Sequence, residues 1–298
     1  MTSVPIGETP PRESLGRRLS TFFYRHPRLR LGALLALPVG WMVIVYFGSL
    51  FVLLMSAFWD TDPFTAEIIR EFTLENFQTI FERPVYRDVA WRTIQMAALV
   101  TLADIVLAFP IAYYMARVAS PRTRNLVVVA VLVPLWASYL VKVIAWRTIL
   151  SDGGIVNWML EPLGLSFDGY STVGLWLVFT YLWLPFMILP IYAGLERIPA
   201  SLLEASADLG GRSLTTFVRV VLPLAFPAVV AGSIFTFSLT LGDYIAPGLI
   251  TSEQFIGTVI YNIRGQALPI AAAYSLVPIV VIVLYLLVAR KLRAFESL

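Results

Sequence analysis

The chain has 298 residues, 58% of them hydrophobic and 14% charged, against roughly 25% charged in soluble domains, and its mean hydropathy is +0.79. These values exclude a soluble globular domain and describe an all-α integral membrane protein. With no cysteine, one histidine and a net charge of +3, a disulfide framework, a thiolate metal site and the basic footprint of nucleic-acid binding are excluded as well.

Residues 1–30 form a basic tail in which RRLSTFFYRHPRLR alternates arginines with Phe22, Phe23 and Tyr24. That pattern suits either a segment lying on anionic membrane lipids or an irregular tail held inside by its charge. His26 has no second ligand nearby and reads as a solvated tail residue. From residue 31 to 298 the chain reads as one transmembrane domain, because apolar runs of about 20 residues mark membrane spans. Six such runs are predicted, at 31–58, 93–116, 125–149, 172–194, 224–246 and 270–290. The first is too long for a signal-peptide core and lacks a small-residue cleavage site, so it is expected to stay in the mature chain. The polar segment 60–92 is expected to form short helices on the outer face. Pro38, Pro110, Pro134, Pro185, Pro190 and Pro227 fall within runs and predict kinks, either around a pathway or as ordinary membrane-helix packing.

Basic residues are retained on the cytoplasmic side. Arg17, Arg18, Arg117, Arg122, Arg124, Arg197, Arg212, Arg219, Arg290 and Lys291 fall on one side of the predicted spans, whereas the opposite loops mix Arg83, Arg87 and Arg264 with many carboxylates. Both termini are therefore expected in the cytoplasm.

In that topology residues 195–223 face the cytoplasm, and EASADLGGRSLTTFVRVVLP interrupts two very apolar runs. Ser201 followed by Glu204 has the spacing of a capping box. Leu202, Ala205, Ser206 and Leu209 share one helical face, and Glu204 and Asp208 stack one turn apart on another. Gly210 and Gly211 supply a left-handed stop. Ser213 is placed to cap a second helix, which Pro223 ends. The predicted product is a helix–turn–helix along the membrane surface, serving either to dock a soluble partner or simply to connect two spans.

The stretch resembles the cytoplasmic loop signature of binding-protein-dependent ABC transporter permeases, EAAxxxG followed nine residues later by IxLP. It appears as Glu204, Ala205, Ser206, Gly210, Val220, Leu222 and Pro223, with Ser in place of the second Ala and Val in place of Ile. From about residue 73 onward LENF, FPIAYYMAR, VPLWASYLVKVIAW, GGIVNWML, LPFMILPIYAGLERIP and LGDYIAPGLI are similar to the spermidine/putrescine, polyamine-type permease subfamily, with Lys142 standing where Arg is expected. The resemblance implies a type I ABC importer permease fold of six helices in the cell inner membrane. It also implies three kinds of partner: a second, similar permease, an ABC ATPase dimer gripping the loop at Glu204, and an extracytoplasmic solute-binding protein. The subfamily also includes permeases for other small organic solutes, amino acid-like or opine-like compounds among them. No GxxxxGK[ST] phosphate loop occurs, so ATP and magnesium are expected on the ATPase partner and no cofactor in this chain.

Ionisable residues within spans cost about 2.5–3.5 kcal/mol each on insertion scales and need a reason. Asp243, beside Tyr244 in LGDYIAP, suits an ammonium group held by charge and cation–π contact, a structural ion pair, or a place at the outer water interface. Asp104 either pairs with Lys142 or Arg147 or faces the pathway. Those two cations suit snorkelling or subunit pairing better than cation binding. Trp136 and Tyr139 either line the route or pack within the membrane. A membrane enzyme would need a cluster of His, Asp or Glu at catalytic spacing, and a secondary transporter a longer chain with repeated halves; neither pattern is present.

Overall fold

The computed structural model describes residues 24, 26–62, 65 and 67–291. Most of the basic tail, with the expectations placed on it, lies outside these residues. The chain divides into two compact units, Met1–Met55 and Ser56–Leu298.

In the first unit α1 (Pro27–Trp41) runs through a π-helical turn (Met42–Phe47) into α2 (Gly48–Ser56). Within it Leu34–Ser56 is long and apolar enough to span a membrane.

The second unit opens with a two-residue antiparallel pair, β1 (Asp60–Thr61) with β2 (Ile68–Ile69), Asp60 opposite Ile69. The short helix α3 (Glu75–Glu82) follows. The Asn76 amide donates to the carbonyls of Ala57 and Trp59, at 3.0 and 2.8 Å, and ties these segments together. Next comes α4 (Pro84–Tyr113), extended by a π turn at Tyr114–Val118. The span expected at 93–116 thus starts at Pro84, because proline suits a first helical position and nothing breaks the helix before the apolar run. At 35 residues and 1.5 Å per residue it is about 50 Å long, so its polar first turns extend past the hydrocarbon layer.

The run at 125–149 departs most from expectation. It is two helices, α5 (Pro121–Trp136) and α6 (Tyr139–Leu150), and the bent segment Pro121–Leu163 turns by 96°. Ala137 (ψ 141°) and Ser138 (ψ 135°) are both extended, which ends one helix and starts the next in a new direction. After the one-and-a-half-turn helix α7 (Ile155–Leu160) come α8 (Thr172–Glu196), α9 (Ala200–Asp208) and α10 (Ser213–Thr216). A π turn (Phe217–Val221) joins α10 to α11 (Leu222–Gly242). Two short helices, α12 (Ile245–Ile250) and α13 (Ile256–Ile263), precede α14 (Leu268–Lys291). Among the described residues five helices are long and apolar enough to cross a membrane, and six if the bent pair forms one span.

The core lies between α4, α8 and α11. Being apolar on all sides, α8 takes the central place, and its successive turns fill two clusters. Val178, Phe179 and Leu182 pack with Val100 and Val143 at one end; Met187, Ile191 and Leu195 pack with Ala108, Ala112 and Val221 at the other. Small residues set the α8–α11 spacing. A Cβ on Gly194 would lie 2.3 Å from the Cβ of Ala228, and one on Gly232 would lie 2.7 Å from Sδ and 3.2 Å from Cα of Met187. These contacts fix the two helices as antiparallel.

Gly194→Ala forces this pair apart and is expected to cost about 1–3 kcal/mol, the usual range for overpacking. Ala228→Gly on the same background restores the space and should recover part of the loss. Thermal unfolding of the detergent-solubilised protein, followed by fluorescence-detected size exclusion, measures both; equal melting temperatures for Gly194→Ala and the parent would refute the close approach.

Candidate functional site

Two features stand at opposite ends of α11: the loop 195–223 and the helix break at Asp243. Spaced by about 1.5 Å per residue, they are separated by roughly the hydrocarbon thickness of a bilayer.

At the break, Gly242 ends α11 and Asp243 is extended (φ −73°, ψ 136°). Its Oδ1 accepts from the amides of Ile245 and Ala246, at 2.8 and 3.1 Å, so the carboxylate caps the start of α12. Its Oδ2 accepts from the Tyr139 hydroxyl. Tyr139 reaches this point because the interruption at Ala137–Ser138 turns α6 toward α11. The Tyr139 ring stacks on Trp183 of α8, with centroids 5.9 Å apart and planes 14° apart. A cavity of about 310 Å³ opens beside them, lined by Trp183, Ser238, Leu239, Gly242, Asp243, Tyr244 and Ile245. A carboxylate has about four acceptor positions, and Asp243 uses three of them within the chain. The fourth, on Oδ2, is left for a donor.

Asp243, Tyr244 and Tyr139, single candidates in the sequence, are thus brought together. Trp183 joins them without having been foreseen; LWLPF offered only an aromatic in an apolar run, and the close fit of α8 against α11 is what selects it. Trp136 does not join them: it is 88% exposed. Asp104 corrects an expectation. It pairs with neither Lys142 nor Arg147 and does not face an open pathway; it is fully buried on α4, and neither carboxylate oxygen has a hydrogen-bond partner. Arg147 instead lies over the Tyr170 ring, at 5.7 Å, and Lys142 is half-buried.

The loop is better defined than its sequence suggested, by different contacts. Ser201 does not cap α9: the N-cap is Pro199, no side chain caps there, and Ser201 falls inside the first turn. Proline holds the extended backbone of an N-cap residue, and the helix starts two residues earlier than a serine cap would allow. Ser213 likewise follows the N-cap, Arg212. Pro223 ends nothing, since Ser213–Gly242 is one continuous apolar span of 30 residues and Pro223 sits in the first turn of α11. The surface element is therefore α9 alone, and α10 is the start of the next span.

The two glycines have separate duties. Gly210 takes φ +79°, the left-handed conformation. Gly211 allows close approach, because a Cβ there would lie 2.6 Å from the carbonyl oxygen of Ser206. Its amide donates to that carbonyl at 2.8 Å, and the Ser206 and Thr216 hydroxyls bond at 2.8 Å. Glu204, Ala205, Asp208 and Leu209 are exposed, with Leu209 at 89%, so α9 presents a mixed acidic and apolar surface outward. Leu222 is exposed as well.

From the π turn after α4, the Arg117 guanidinium donates to the carbonyls of Leu195 and Ile198, at 2.5 and 2.7 Å. Leu195 lies in the last turn of α8 and Ile198 two residues past its end, at the root of the loop; the Leu195 carbonyl also accepts from the Ile198 amide, at 3.3 Å. Arg124 pairs with Glu196 at 3.4 Å beside them, and the Phe217 ring packs edge-on against Phe109, at 5.5 Å. The arginine of FPIAYYMAR was read only as a topological charge; its role as a clip is visible only once α4 and α8 are adjacent.

A family model described as "Binding-protein-dependent transport system inner membrane component" matches residues 108–295, which takes in α8, the loop and Asp243. The chain belongs to this family. It is 47% identical over 309 residues to the inner membrane ABC transporter permease protein YdcU of Escherichia coli (strain K12), covering 98% of each chain. It is 32% identical over 263 residues to the spermidine/putrescine transport system permease protein PotB of Escherichia coli (strain K12), covering 84% of this chain and 93% of that one. A crystal structure of a bacterial alginate ABC transporter, in complex with an alginate pentasaccharide-bound periplasmic protein, matches with TM-score 0.71 at 20% identity, covering 94% of this chain and 98% of the other. The fold is that of a type I ABC importer permease, and the chain is a permease subunit.

Removing the clip should loosen the loop. Hydrogen bonds to charged groups contribute about 1.5–3 kcal/mol, so Arg117→Ala is expected to raise amide hydrogen exchange at residues 196–212 by at least tenfold. Exchange in the middle of α11 should be unaffected. Unchanged exchange in the loop would show that the guanidinium does not hold it.

Proposed function

We propose that this chain is one of two permease subunits of an ATP-driven importer for a small organic cation of the polyamine class. The observation that carries this reading is the Asp243 cluster. A carboxylate with one acceptor position left, an aromatic pair and a cavity stand together at a helix break, on the end of α11 away from the loop. Anionic oxygen next to aromatic faces is the chemistry that holds an alkylammonium in a partly desolvated site. The similarity to PotB, named for spermidine and putrescine, supports the same class.

In this reading α9 docks on an ABC ATPase dimer, which supplies ATP and magnesium, with Glu204 at the joint. A second permease faces this one across the pathway, and an extracytoplasmic binding protein delivers the solute, a part consistent with the periplasmic protein in the alginate complex. Both termini lie in the cytoplasm. Closing of the ATPase dimer draws the α9 helices together and opens the outer end of the pathway, and hydrolysis resets it.

Glu204→Lys reverses the charge of the exposed α9 surface without touching the core. It is expected to abolish uptake in cells carrying the complete transporter while leaving the amount of permease in the membrane unchanged. Normal uptake would remove α9 from the joint.

Asp243→Asn removes the charge that attracts an ammonium. At 4 Å and an effective dielectric near 20 that attraction is about 4 kcal/mol before desolvation, and about 1–3 kcal/mol net by the range for hydrogen bonds to charged groups. Putrescine uptake should fall roughly tenfold or more, and Asp243→Glu should keep part of it. ATP hydrolysis in the absence of solute should change little. Undiminished putrescine uptake by Asp243→Asn would leave the carboxylate only its capping role.

A further inference from the structure

Beyond Tyr244 lies a second and larger cavity. It has a volume of about 560 Å³, and Tyr244, Tyr261, Glu253, Gln254 and Asn262 are among the residues that line it. Tyr244 and Ile245 border both cavities.

The wall between α12 and α13 is aromatic. The Tyr244 and Tyr261 rings stack with centroids 4.6 Å apart and planes 15° apart, and they are 42% and 45% exposed, so much of their surface is open to a ligand. Facing them are one carboxylate, Glu253, and two side-chain amides, Gln254 and Asn262. Electron-rich ring faces, a carboxylate and amide oxygens together make up the donor set for an organic ammonium.

A second observation shows that this aromatic wall takes a cation. The Arg264 guanidinium lies over the Tyr261 ring, 3.6 Å from its centroid, and donates to the Tyr261 carbonyl. Arg264 is the residue that ends α13 and is itself exposed. Glu253 also holds a guanidinium, that of Arg92. Both cation-binding elements of the cavity are thus already engaged by arginines of the chain itself, Arg264 exposed and Arg92 half-buried.

We propose that the cavity lined by the stacked Tyr244 and Tyr261 rings is a second ammonium subsite, next to the Asp243 site, and that Arg264 holds the aromatic wall until a substrate ammonium displaces it. Two neighbouring cation sites that share Tyr244 as a wall suit a linear molecule with an amine at each end. Tyr261 and Glu253 then select diamines and longer polyamines over monoamines. This inference rests on the assignment of Asp243 to a cationic solute.

The test is concentration-dependent uptake of radiolabelled putrescine by cells carrying the complete transporter. Tyr261→Leu keeps apolar volume and removes the ring; it is expected to raise the KM for putrescine about threefold to tenfold, the range of a partly desolvated cation–π contact. Maximal uptake per permease should be retained, and Tyr261→Phe should stay within about twofold of the parent, since the ring face survives. Glu253→Gln, on the surface and remote from the core, should raise KM in the same direction. Arg264→Gln should leave KM equal or lowered, because a competing cation is removed. An unchanged KM in both Tyr261→Leu and Glu253→Gln overturns the subsite, as does a KM raised by Arg264→Gln. Asp243→Asn in the same assay separates the two assignments. If it lowers uptake while Tyr261→Leu and Glu253→Gln do not, only the second subsite fails; if it changes nothing, the assignment of Asp243 fails and the subsite with it.

Discussion

A backbone amide or carbonyl freed inside a membrane has no water to bond with, and each one left alone costs several kcal/mol. Three departures from straight helix in this permease show that constraint. At the end of α11, the Asp243 carboxylate takes the amides of Ile245 and Ala246. At the start of α6, the Ser138 carbonyl accepts from the Lys142 amide. At the end of α8, Arg117 takes two carbonyls. The two side chains among these, Asp243 and Arg117, are also the ones that sit in the candidate site and anchor the loop.

One consequence is that the Asp243 carboxylate is oriented before any ligand arrives. Two amides fix one oxygen, and the Tyr139 hydroxyl fixes the direction of the other. Little side-chain entropy is then left to lose on binding, which favours affinity for a small ligand. Asp104 shows the contrast. It is buried with neither oxygen bonded to a described residue and lines neither of the cavities at Tyr244, so a charged residue inside a span does not by itself identify a site.

The spans were legible because hydrophobic runs are long and repeated, and five of the six predicted runs correspond to single helices. The third was misjudged because hydropathy is blind to two extended residues in an apolar run; WAS at 136–138 carries no glycine and no proline at the break itself. The caps of α9 and α10 were misplaced for a related reason. A serine at capping spacing competes with whatever precedes it, and Pro199 and Arg212 took the N-cap positions. At the site, Asp243, Tyr244 and Tyr139 were each visible as unusual residues. Their meeting was not, since it depends on a 96° bend. Trp183, Tyr261 and Arg117 drew no attention as site residues, because an aromatic in a span and an arginine at its end are what membrane helices ordinarily contain.

Gly194 meets Ala228 and Gly232 meets Met187, so α8 and α11 touch closely at two levels, the first of them midway along the continuous span that runs from Ser213 to Gly242. Two close contacts at separate levels resist both sliding and tilting of one helix against the other, because a packed interior gives little under strain. The glycines therefore do more than save space: they make the pair a single stiff strut between the loop and Asp243.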